Sequence, residues 1–165
     1  MNARRLLGRR AGAAVIVGDV GKGVVACVAG RRLAGSLGAH VAGVAAVAGH
    51  CYPAWTGFRG GKRVATSFGQ CLVTFPVYAP ADVAVAVAVR RRSSLRRPAL
   101  ASVVVSSMAW LVASVVWWRR GWPNLWGSHP TVALPLANAA TVAIILSKAA
   151  RRSQRERPDE FGPRP

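Results

Sequence analysis

The stretch Thr66-Ser-Phe-Gly-Gln70-Cys-Leu-Val-Thr-Phe75-Pro-Val-Tyr-Ala-Pro80-Ala-Asp82-Val-Ala-Val85-Ala-Val-Ala-Val89 decides how this chain folds. It is apolar over most of its length and long enough to cross a bilayer, which takes about 20 residues of helix. Pro76 and Pro80 nevertheless interrupt helical hydrogen bonding, and Asp82 is costly against lipid. The stretch therefore reads as a pair of short or broken helices that enters a membrane and returns.

Four more apolar segments flank it: Ala11–Ala29 and Leu33–Tyr52 before, Ala99–Trp118 and Pro130–Leu146 after. Each is close to a bilayer-spanning length. Between them the basic residues gather in six groups, Arg4–Arg10, Arg31–Arg32, Arg59–Arg63, Arg90–Arg97, Arg119–Arg120 and Lys148–Arg164. If every segment crosses once, the two sides of the membrane carry nine and thirteen of these charges. If 66–89 returns, the division becomes eighteen against four. The second is the asymmetry that the positive-inside rule expects. It predicts an all-α, polytopic transmembrane helix bundle of about five apolar segments, one of them a returning pair. The N-terminus, the 59–63 and 90–97 loops and the C-terminal tail would face the cytoplasm.

Composition agrees. Of the 165 residues 52% are hydrophobic, yet 23 Lys and Arg stand against 5 Asp and Glu, for a net charge of +18. A soluble protein so basic would bind nucleic acid. Here the charges lie between apolar runs, so the polyanion they meet is a phospholipid surface and no nucleic-acid partner is expected. Trp117, Trp118, Trp122 and Trp126 close the fourth segment as an interfacial aromatic belt. Residues 1–150 form the embedded domain, and 151–165, rich in Arg, Glu and Pro, read as a disordered basic cytoplasmic tail. Arg4, Arg5, Arg9 and Arg10 before an apolar run imitate a signal peptide, but Asp19 and Lys22 interrupt that run and more spans follow. Cys27, Cys51 and Cys71 form no C-x-x-C pair, and His40, His50 and His129 have no ligand spacing, so no metal site is expected.

Two places suit chemistry. Asp19 and Lys22, three residues apart, share one helix face inside an apolar segment. Such a pair either fixes helix packing or lines a wet cavity, and the residues alone leave both open. The denser signal is Gly49-His50-Cys51-Tyr52-Pro53, followed by Phe58-Arg59-Gly60-Gly61-Lys62-Arg63-Val64-Ala65-Thr66. Two glycines can present successive backbone N–H groups, Lys62 adds a point charge, and the next helix N-terminus adds its dipole. Together they suit a phosphate. It is not a P-loop, because Thr56 replaces the first glycine and Arg63 the magnesium-binding hydroxyl. A basic loop that merely obeys the positive-inside rule is the other reading. His50, at a segment end, can act as acid or base or simply hydrogen-bond at the interface.

These motifs resemble the bacterial acyl-phosphate:glycerol-3-phosphate acyltransferase family (PlsY). Gly-His-x-x-Pro with Phe-x-Gly-Gly-Lys-x-Val-Ala-Thr is similar to one signature, Asp19-x-x-Lys22-Gly23 to a second, and Asn2-Ala3-Arg4-Arg5-Leu6-Leu7-Gly8 to the end of a third. The resemblance implies acyl transfer from acyl phosphate to glycerol 3-phosphate, giving lysophosphatidic acid without a cofactor. It implies catalytic roles for His50 and Lys62. Asn2, Arg5, Gly60, Gly61, Lys62, Thr66 and Arg96 would bind the substrates' phosphates. The family's residues before Asn2 lie upstream of Met1, so either translation starts earlier or the chain is a natural truncation. Arg63 stands where the family has glycine, Ala99 replaces the first serine of Arg-x-x-Ser-x-x-Ser, and the C-terminal His and Asn signature has no counterpart. A catalytically silent relative that binds lipid phosphates or a partner, or a small transporter, is the alternative expectation.

Overall fold

The computed structural model describes residues 8–53, 64–92, 98–125 and 129–155, and what it describes is helical: α1 (Gly8–Cys51), α2 (Val64–Thr74), α3 (Ala79–Arg92), α4 (Pro98–Arg120) and α5 (Ala133–Arg155). The first is not one rod. Ala34 (φ −144°, ψ 31°) and Gly35 (φ 61°, ψ −149°) leave helical geometry, and the positive φ at Gly35 is one that glycine adopts at no steric cost. The chain reverses there. Gly30 packs on the Gly38 backbone, a Cβ on Gly43 would meet Cys27 Sγ at 2.8 Å, and Asp19 faces His50. Residue numbers in these pairs add to nearly the same value, which is the register of two antiparallel arms. Arg31 and Arg32 are helical, so the reversal falls a turn later than the loop their charges indicate.

α2 and α3 are separated by Phe75–Tyr78. Pro76 cannot continue α2, while Pro80 lies in the first turn of α3, where a missing N–H leaves no bond unmade. Tyr78 N–H donates to Phe75 O (3.1 Å) and Ala79 N–H to Pro76 O (3.2 Å), closing the turn. Asp82 in the first turn of α3 complements the helix dipole. By helical rise α2 is about 16 Å long and α3 about 21 Å, short of a hydrocarbon layer of roughly 30 Å.

Their directions follow from α4. Ser67 and Cys71 share a narrow cleft with Ser106, Ser107 and Trp110, and the Phe75 ring meets Trp117 edge-on at 5.6 Å. α2 therefore runs with α4. Asp82 lines the same cleft, and Ser102 Oγ donates to Ala86 O at 2.8 Å, so α3 runs against α4. The stretch enters and returns, as its prolines predict.

α5 closes the bundle. Leu134 joins the cluster of Phe75, Ala79 and Trp110. Thr141 Oγ1 bonds the fully buried Gln70 Oε1 at 3.0 Å, and Ile145 packs with Val47 and Cys51. At the same end Tyr52 Oη and Ser147 Oγ are 3.2 Å apart, and Lys148 lies over the Tyr52 ring at 4.6 Å. Cys51, Val64, Arg92, Pro98 and the end of α5 thus share one face of the bundle. Gly35, the Phe75–Tyr78 turn and the α4–α5 connection share the other. On that second face Trp117 and Trp122 pack edge-to-face at 4.6 Å, with Arg120 over the Trp122 ring. α1, α4 and α5 are each long and apolar enough to cross a membrane, and α1 supplies two passes through its two arms.

Small residues bring the backbones together, as is usual in lipid. Gly23 sits on the Thr66–Gln70 turn of α2, and Gly69 sits on Val20 of the first arm, each with no room for a Cβ. Gly69→Val is expected to destabilise the bundle by about 1–3 kcal/mol, seen as a lowered midpoint in thermal or denaturant unfolding of the detergent-solubilised chain. An unchanged midpoint would show that the arm can move away freely.

Candidate functional site

The hairpin register carries Asp19 to His50. Lys22 Nζ donates to Asp19 Oδ1 at 3.3 Å, and His50 Nδ1 stands 3.7 Å from the same oxygen. The Asp19 and His50 side chains keep 13% and 14% of their exposure, whereas Lys22 keeps 69% and points out of the bundle. At a rise of 1.5 Å per residue, the pair lies about 23 Å from the reversal at Gly35. That places it toward the face where Cys51, Val64 and Arg92 end, and not at mid-bundle. There Lys22 can extend its stem along apolar surface and keep its ammonium wet.

The second ring nitrogen of His50, Nε2, is buried and meets no hydrogen-bond partner among the described residues. Gly23, next to Lys22, packs on the carbonyl of Thr66 in the first turn of α2. Thr66 is fully buried, and its Oγ1 likewise meets no partner among the described residues. Four residues singled out from sequence, Asp19, Lys22, His50 and Thr66, are therefore gathered where both arms of α1 meet the start of α2. Asn2, Arg5, Gly60, Gly61, Lys62 and Arg96 lie outside the described residues.

Three features escaped the sequence. Asp19 and Lys22 do pair, but nothing local shows that His50, 31 positions from Asp19, faces the same oxygen; only a reversal at Gly35 aligns them. Gln70 and Thr141, joined at 3.0 Å across the core, carry no motif. Ser102 spends its hydroxyl hydrogen on Ala86 O, tying α4 to α3.

Two α1 arms, two further long apolar helices and a returning pair, with Asp19, Lys22 and His50 gathered toward one end, define a polytopic membrane protein. The match to the family model for glycerol-3-phosphate acyltransferase spans residues 1–155, and the chain belongs to that family. It is 51% identical over 76 residues to a glycerol-3-phosphate acyltransferase of Exiguobacterium sibiricum, covering 46% of this chain and 37% of that relative. It is 35% identical over 118 residues to one from Thermoanaerobacter sp., covering 72% and 58%. The chain thus spans less than two thirds of the length of these curated relatives. It also resembles PlsY (YgiH), described as an integral membrane glycerol 3-phosphate acyltransferase. The TM-score is 0.73 with 25% identity against the glycerol 3-phosphate form, covering 96% of this chain and 75% of that one. Against the lysophosphatidic acid form the TM-score is 0.75, with 98% and 78% covered.

Proposed function

We propose that this protein transfers a fatty acyl group from acyl phosphate to a hydroxyl of glycerol 3-phosphate, giving lysophosphatidic acid and phosphate. The observation that carries this reading is the convergence of Asp19-x-x-Lys22-Gly23, Gly49-His50 and the start of α2 at one end of the bundle. These segments are far apart in sequence, and His50 Nε2 and Thr66 Oγ1 are among the buried polar atoms without partners among the described residues. Relatives solved as glycerol 3-phosphate and lysophosphatidic acid forms support the choice of acceptor.

Both substrates carry phosphate, so Lys62, Arg5 and Arg96 would neutralise charge while Gly60 and Gly61 present backbone N–H groups. Asn2 and Thr66 would line the polar pocket, and His50 would take the proton of the attacking hydroxyl. Acyl phosphate is already activated, so positioning and charge neutralisation supply most of the rate. The basic face would lie in the cytoplasm of a bacterial inner membrane, with Arg31, Arg32, Arg119 and Arg120 opposite. The reading requires no metal or cofactor.

Membranes carrying the full chain, given acyl phosphate and labelled glycerol 3-phosphate, are expected to form labelled lysophosphatidic acid. No product from verified full-length protein would overturn the proposal. It would favour a silent relative that binds lipid phosphates, the reading to which Ala99 and the structurally committed Ser102 hydroxyl point.

A further inference from the structure

The α3 helix lies against α4 along a polar seam. Ser102 Oγ donates to Ala86 O at 2.8 Å, and Ala79 and Trp110 pack in one cluster. The residue numbers in each pair add to nearly the same value, the antiparallel register of the two helices, and that register sets Asp82 opposite Ser106. Asp82, Ser106, Ser107 and Trp110 line the cleft at this point, which continues past Ser67 to Val64 at the basic face. Trp110 is 5% exposed, and its indole Nε1 is buried with no hydrogen-bond partner among the described residues. An indole N–H only donates, and a buried donor left unmade is costly. The Asp82 carboxyl group supplies acceptors to the same cleft, and a carboxyl group inside a membrane needs polar company. Its place in the first turn of α3 suits the helix dipole, but the dipole gives no reason for an indole N–H enclosed beside it. The free space of the cleft is about 10 Å³, about the least that holds one water molecule and too little for anything larger.

We propose that this cleft is a binding site for a single water molecule. The water accepts a hydrogen bond from Trp110 Nε1–H, donates one to the Asp82 carboxyl group and gives its second hydrogen to a hydroxyl oxygen of Ser106 or Ser107. Such a water has three partners, the usual number for one buried in a protein. Asp82 and Ala86 are four residues apart and share one face of α3, so the water forms a second rung between the helices, one turn along from the Ser102–Ala86 bond. The helix depends on rungs of this kind. Of its 14 residues only Ala79 is buried, so apolar packing does little to keep it on α4. The water therefore clips the outgoing half of the returning pair to the bundle. The site takes no part in acyl transfer and stands whether or not that reaction occurs.

NMR of the full chain in lipid nanodiscs, with nitrogen-15 at tryptophan, tests this directly. The chain holds six tryptophans, and the Trp110 indole signal is the one lost in Trp110→Phe. In the wild type the Trp110 indole proton is expected to show a cross-relaxation peak with a bound, slowly exchanging water. The absence of that peak overturns the proposal whether or not any variant folds. Asp82→Leu, which removes the acceptor, and Ser107→Val, which fills the cleft, are each expected to abolish the peak. Asp82→Asn keeps a carbonyl oxygen in place and is expected to retain it. Asp82→Leu is also expected to speed backbone amide exchange over residues 83–89 at least tenfold, with α5 changed less than twofold. A folded Asp82→Leu protein that keeps the water peak, or keeps the wild-type exchange rates in α3, overturns the role given to Asp82.

Discussion

Lys62→Ala is expected to lower kcat/KM for lysophosphatidic acid formation on the order of 10²–10³-fold, the loss typical of deleting one group that stabilises developing charge. Acyl transfer from acyl phosphate builds negative charge on the departing phosphate, and a lysine ammonium two residues before α2 would meet it together with the α2 N-terminus. Removing the ammonium would take away the charge-assisted hydrogen bond proposed for it and leave the helix dipole alone. Lys62→Arg keeps the charge but spreads it over a planar fork, so partial activity is expected. The measurement is initial rate against acyl phosphate concentration in membranes with matched protein levels. Wild-type rates in Lys62→Ala would remove the Gly60-Gly61-Lys62 loop from the mechanism, whatever His50 does.

The second large effect is all-or-none. Cysteines placed at positions 60 and 94 are expected to react with a membrane-impermeant maleimide from the same side of the membrane, and Leu125→Cys only from the opposite side. The expectation follows from the helix ends. Cys51 and Val64 flank one basic loop, Arg92 and Pro98 flank the other, and all four lie on the face opposite the Phe75–Tyr78 turn. Leu125, 59% exposed, lies on the turn's face. Cys27, Cys51 and Cys71 are all buried, so native background labelling is expected to be low. Opposite accessibility of positions 60 and 94 would mean that 66–89 crosses the membrane, and would dissolve the division of eighteen charges against four.

Much of this architecture was legible because lipid makes local composition decisive. An apolar run bounded by arginines has few alternatives to a spanning helix. Pro76, Pro80 and Asp82 mark the returning pair because each is expensive in a continuous buried helix. The reversal at Gly35 was less visible. Glycine occurs 17 times in the chain, and nothing local marks Gly35 as a position of positive φ, whereas Arg31 and Arg32 look like the loop although they are helical. That displacement of a few residues hid the chief feature of the site, since the pairing of Asp19 with His50 depends on where the chain turns. The Gln70–Thr141 bond was out of reach for the same reason: it is set by how α5 docks, and neither residue's neighbours in sequence record it.

The α1 hairpin also bears on how the protein enters its membrane. Its tip carries Arg31 and Arg32, which, with the basic face in the cytoplasm as proposed, would be moved through the hydrocarbon once during biogenesis. On insertion scales each costs about 2.5–3.5 kcal/mol at the bilayer centre. Either arm inserting alone would meet that cost with half the apolar surface available. The close seat of Gly30 on Gly38 would favour the two arms inserting together as one unit. Widening that seat with a bulky residue should show first as slow or inverted insertion during synthesis, before any defect appears in the mature protein.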